Sequence, residues 1–176
     1  MPQGRLVVSE VTQVGEPSMP PKYCGQFKTA CGVVARDNVP ITYRTWTGPQ
    51  GDVTVVPDSL KATLWTKILD VFQFPPGTEE LVRKRALTIM GTCWKNWKTL
   101  LNKEYVKRDQ TPNFDEHPKL QDFWDEFVEY KKSEEAMAMS EKNTANSQKN
   151  IYPHVLGTGG YSKKIHSWEQ REEELI

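Results

Sequence analysis

Residues 78–107 read TEELVRKRALTIMGTCWKNWKTLLNKEYVK, and their spacing decides the fold. Apolar residues recur at helical intervals in one row: Val82, Ala86, Ile89, Cys93, Trp97 and Leu100. A second row, Leu87, Met90, Trp94, Leu101 and Tyr105, lies beside it. Together they make a stripe wider than about 100°, as a core-facing helix needs. Thr78 stands where an N-cap hydroxyl accepts an orphan backbone N–H. Glu79 and Glu80 follow at the positive end of the helix dipole, and Lys103, Lys107 and Arg108 sit at the negative end. Gly91 costs about 1 kcal/mol relative to alanine in a helix interior, so it marks a kink or a close crossing with another helix.

The opposite face, at about 100° per residue, carries Lys84, Thr88, Gly91, Lys95, Lys98 and Asn102. Arg83, Arg85 and Lys103 flank it, and no acid falls in its middle. Lys and Arg, supported by Thr and Asn, are the residues that meet phosphates. A solvated lysine face explains the same pattern more plainly.

The other segments supply partners for the apolar stripe. A helix is expected over residues 58–72, with Leu60, Leu64, Ile68 and Val71 in one row and Trp65, Leu69 and Phe72 widening it. Another begins near Pro118, a residue suited to a first helical position, and buries Leu120, Phe123, Trp124, Phe127 and Tyr130. Ser133 then caps a polar helix that runs toward Asn150. It offers Lys142, Asn143, Asn146 and Lys149 to a partner. The expected fold is all-α: a small helical bundle built on one long central helix.

Around that core, residues 1–21 are expected to form a disordered arm, punctuated by Pro, Gly and Ser. Residues 22–57 hold short β-leaning runs between turn signals, too few for an independent sheet. They are expected to lie as an extended strap anchored by Tyr43 and Trp46. Residues 58–150 form the helical core domain, and residues 151–176 a flexible Gly-rich loop and a short acidic helix.

Composition limits the function. The 176 residues carry 23 basic and 23 acidic side chains, so any polyanion-binding surface must be local. Mean hydropathy is −0.66, too polar for the core to involve the whole chain. No run approaches the roughly 18 apolar residues of a membrane span. Three cysteines, with Cys93 on an apolar helix face, point to free thiols in a reducing compartment. The loop Gly157-Thr158-Gly159-Gly160 lacks the spacing of a phosphate-binding loop. Cys24, Cys31, His154 and His166 lack zinc-ligand spacing. No carboxylate constellation of a two-metal nuclease stands out. No catalytic residue, metal ligand or cofactor is therefore assigned.

Several segments then line up in order. Residues 39–43 (VPITY) precede Trp46, Val56-Pro57 precede LWTKILDVFQF at 64–74, and Trp94 and Trp97 follow on the basic helix. WDEFVEYKKSEEAMAMSEKNTANSQKN spans 124–150, followed by His154, GTGGYSKK at 157–164 and Trp168. No one motif is diagnostic, but their order over residues 26–175 resembles the plant Ptta/En/Spm transposase family. The resemblance implies a transposon-encoded or transposon-derived nuclear protein that acts with DNA at CACTA-type transposon ends. None of the family's active residues is carried over. The expected function is a DNA-binding module contacting duplex DNA through Arg83, Lys84, Arg85, Lys95, Lys98 and Lys103. Lys142, Asn143, Asn146 and Lys149 on the polar helix join them, with Lys163 and Lys164 beyond it. A catalytic transposase subunit is an expected partner, a membrane is not, and self-association stays open. The alternative is a helical protein-interaction module of the transposon complex, using the paired tryptophans and the acidic tail.

Overall fold

The computed structural model describes residues 4–149, and the chain divides into two units after Ser133. The first unit is mainly helical but not purely α. Its central element is α3 (Glu79–Glu104), 26 residues long and continued by a 3-10 turn, Val106–Arg108. Thr78 occupies the cap position, yet its hydroxyl donates to the Pro75 carbonyl at 2.7 Å and caps no helix N–H.

The main correction lies before residue 39. Lys22–Asn38 is a helix, α1, where an extended strap was expected. Phe27, Cys31 and Ala35 recur every fourth residue and are fully buried. That stripe outweighs the weak helix propensity of Val33, which stays exposed, and of Val34, which packs at the core edge. Gly32 lies against Cys93 of α3, so the two helices meet closely. The strap begins only after α1. Residues 39–57 are extended or turning, and the Val56 amide donates to the Thr45 carbonyl.

Residues before α1 are also not a disordered arm where they are described. β1 (Leu6–Val7) runs parallel to β4 (Phe72–Gln73), and the Val8 amide donates to the Gln73 carbonyl. β2 (Glu10–Val11) pairs antiparallel with β3 (Pro17–Met19). Burial of Val8 and Pro17, with Leu6 and Val11 packed at the core edge, contributes to ordering this segment. These two small sheets are what the all-α expectation lacked.

α2 (Asp58–Val71) and α4 (Gln121–Lys131), the latter entered through a 3-10 turn at Pro118–Leu120, match the expected helices closely. Two apolar clusters result. The larger packs α1, α2 and the first half of α3, with Phe27 edge-on to Phe72 at 5.8 Å and Trp65 stacked on Phe74 at 5.8 Å. The smaller joins Ile41, Leu101, Val106, Leu120, Trp124 and Phe127. α3 spans both and so aligns them. α5 (Glu134–Gln148) belongs to the second unit and buries none of its residues.

Gly91 marks a close approach, but by the strap rather than by another helix. A Cβ there would meet the Trp46 ring at 2.9 Å. On propensity alone, Gly91→Ala gains about 1 kcal/mol. Against Trp46 it overpacks, and the expected outcome is a loss of about 1–3 kcal/mol. Urea unfolding reads this as a lower midpoint at unchanged slope. A variant as stable as the parent would mean that Trp46 does not lie on α3.

Candidate nucleic-acid interface

Between Leu81 and Lys103, α3 holds six basic residues and no acid. The fold treats these six differently. Lys84, Lys95 and Lys103 are exposed and make no ion pair among the described residues. Arg83 reaches Glu80 one turn back at 4.0 Å, a solvated pair of little strength. Arg85 is withdrawn from the surface set. Its Nε donates to Glu16 at 2.7 Å, and Lys28 reaches the same carboxylate at 3.0 Å. Burial pushes the Glu16 carboxyl up, but the bonds from Arg85 and Lys28 outweigh it and hold the group below its ordinary range.

Lys84 and Lys95 stand on one wall of a groove of about 690 Å³. The strap supplies Trp46 and Thr47 on the other side, and α2 supplies Lys61. The two acids on the groove, Asp58 and Glu80, lie beside Lys61 at 3.8 Å and Arg83 at 4.0 Å. Lys84 and Lys95 are left as net positive charge. Thr88 and Thr92 lie between them, but each hydroxyl donates back to a carbonyl one turn earlier. Their oxygens therefore face the groove as acceptors, and donation to a phosphate falls to the lysines. Lys61 was not foreseen, because no pattern within α2 reveals that it faces α3.

Lys98 does not belong to this surface. It is 7% exposed, its Nζ donates to the Tyr43 carbonyl, and the ammonium lies 4.2 Å over the Trp94 ring. Helix-face geometry puts it near Lys84 and Lys95, but the strap covers it. Burial, aided by Lys131, pushes its pKa down to about 7.

A second cavity, of about 670 Å³, lies between the end of α1 and the entry to α4. His117 meets Trp97 edge-on there at 5.2 Å, and Arg36 lies over the same indole at 5.8 Å. Asp37, Glu116 and Asp122 offset Arg36 and Lys119 on its lining, so it does not select an anion.

In the second unit, Lys142, Asn143 and Asn146 are exposed on α5, and Lys149 follows its end. Asn143 and Asn146, three residues apart, share a helix face. Lys163 and Lys164 lie outside the described residues. Among the described residues, no three His, Cys, Asp or Glu side chains gather as a metal-holding group, and no helix is long and apolar enough to cross a membrane. All three cysteines are free.

The buried Lys98 ammonium gives stability a pH dependence. Unfolded lysine keeps its proton to about pH 10.4, whereas the folded group loses it near 7. The unfolded chain thus binds more protons in between, and stability rises with pH across that window. Cys31 acts oppositely. Burial pushes its thiol up to about 12, while an unfolded thiol ionises near about 8.5, so stability falls above that pH. The clean window is about pH 7 to 8.5, where the gain is at most about 2 kcal/mol. Urea midpoints should rise across it for the parent and stay nearly flat for Lys98→Met; parallel curves would place Lys98 in solvent.

No protein-family model, curated protein or solved structure matches this chain.

Proposed function

We propose that the chain is a DNA-binding module of a plant transposon-encoded, Ptta/En/Spm-like system, acting in the nucleus. The observation that carries this reading is the pair of exposed lysines, Lys84 and Lys95, without acid partners on the wall of the α3 groove. The chain has no net charge, so such a local imbalance is what a polyanion would find. The ordered likeness of residues 26–175 to the transposase family supports the same reading by analogy.

In this function Lys84 and Lys95 hold backbone phosphates, with Arg83, Lys61 and Lys103 adding weaker contacts. Lys142 and Lys149 do the same from α5, while Asn143 and Asn146 present amides suited to adenine edges. A catalytic transposase subunit supplies any strand cleavage. The competing reading, a partner-binding surface made by the paired tryptophans, loses Trp94, which is wholly buried against Trp46 at 5.9 Å.

Duplex binding followed by fluorescence anisotropy over a range of salt tests the proposal. Two neutralised phosphates contribute about −1.8 to the slope of log affinity against log salt. Lys84→Glu combined with Lys95→Glu should weaken binding and reduce the slope by about that amount. Unchanged affinity and slope in the double variant would reject the groove as the contact surface.

A further inference from the structure

The proposed function leaves unused the cavity of about 670 Å³ between the end of α1 and the entry to α4. Its apolar lining is graded in depth. Ile41 and Leu120 are buried, Trp97 and Phe123 are half-buried, and Val33 stays 40% exposed. Arg36 from α1 and His117 from the approach to α4 both meet the Trp97 indole, at 5.8 and 5.2 Å, so the two walls are tied through α3.

Charge on the lining is mixed in sign on both walls. Arg36 and Asp37 stand on the α1 wall, and Glu116, Lys119 and Asp122 on the α4 wall. All five are exposed, and among the described residues none of them forms an ion pair. A partner of a single sign would set part of these charges against its own kind, which is unfavourable. A partner that carries both signs in the reverse order meets them all.

We propose that this cavity is the contact face between two copies of the chain, related by a two-fold axis. In such a contact one patch serves both copies, so it must complement itself. Mixed signs on facing walls allow that. The α1 wall of one copy meets the α4 wall of the other, which gives Arg36 an acid and Asp37 a lysine, and the axis repeats the arrangement. Val33 of each copy enters the other's apolar hollow, and the charges form a polar rim around it. Lys95 and Trp97, two residues apart on α3, point about 200° away from each other. Pairing through the Trp97 side therefore leaves the groove bearing Lys84 and Lys95 open on each copy, and it stands whatever that groove binds.

Sedimentation velocity of the full chain, followed from dilute solution to the solubility limit, tests the proposal. The parent should pass from monomer to dimer as concentration rises. Arg36→Glu with Lys119→Glu makes the lining acidic, and Glu116→Lys with Asp122→Lys makes it mostly basic. Each pair of changes should weaken self-association by about tenfold or more, and an equimolar mixture of the two variants should restore a dimer. Val33→Asp, at an exposed position away from the charged set, should weaken it as well. It keeps the test open if a charge variant loses the fold by circular dichroism. A parent that stays monomeric at every concentration overturns the proposal and leaves the cavity to a different partner. A dimer that survives Val33→Asp, or folded charge variants that do not restore one another on mixing, places any self-association elsewhere and overturns it too.

Discussion

The indole of Trp46 lies on the bare backbone of Gly91, and much of the first unit is arranged by that contact. A glycine in mid-helix gives up propensity, and the return here is a flat seat for a large ring. Trp46 in turn stands against Trp94 and under the Lys61 ammonium at 5.4 Å. With the strap seated, Tyr43 aims its carbonyl at Lys98, and Thr47 borders the groove that Lys84 and Lys95 face. One apolar contact thus hides one lysine of the helix and leaves two others on an open wall.

Ion pairing sorts the basic residues further. Glu16 is reached through the turn between β2 and β3, where Gly15 takes a positive φ of 90° against the start of α3. The carboxylate gathers Arg85 and Lys28, tying the N-terminal hairpin to both α1 and α3. Arg85 therefore serves the fold, while Lys84, its neighbour in sequence, faces solvent. Adjacent residues on a helix point about 100° apart, which suffices to divide the two roles.

Much of this was legible locally. The centres of α2, α3 and α4 follow from apolar spacing, although Val71 and Leu100, counted in those rows, stay exposed and Lys98 takes a place in the buried stripe of α3. Lys84 and Lys95 follow from the same spacing read on the other side. α1 was obscured because Gly25, Gly32 and the Val33-Val34 pair suggest loop or strand, and only packing on α3 decides for helix. The pairing of Leu6 with Phe72 joins segments far apart in sequence, beyond the reach of any local pattern. Lys98 was misplaced for a related reason. Periodicity gives the direction of a side chain but not what lies over it, and a strap held by Trp46 covers this one.

The parallel pairing of β1 with β4 also bears on the order of assembly. Its two strands enclose α1 and α2, so the chain must close a long loop before a short ladder rewards it. Contacts between α2 and α3, joined through residues 72–78, need no such closure at the outset. The N-terminal residues are thus expected to dock late, onto a nucleus that already exists. The edge of Phe72 and Gln73 stays open to other extended segments until they do.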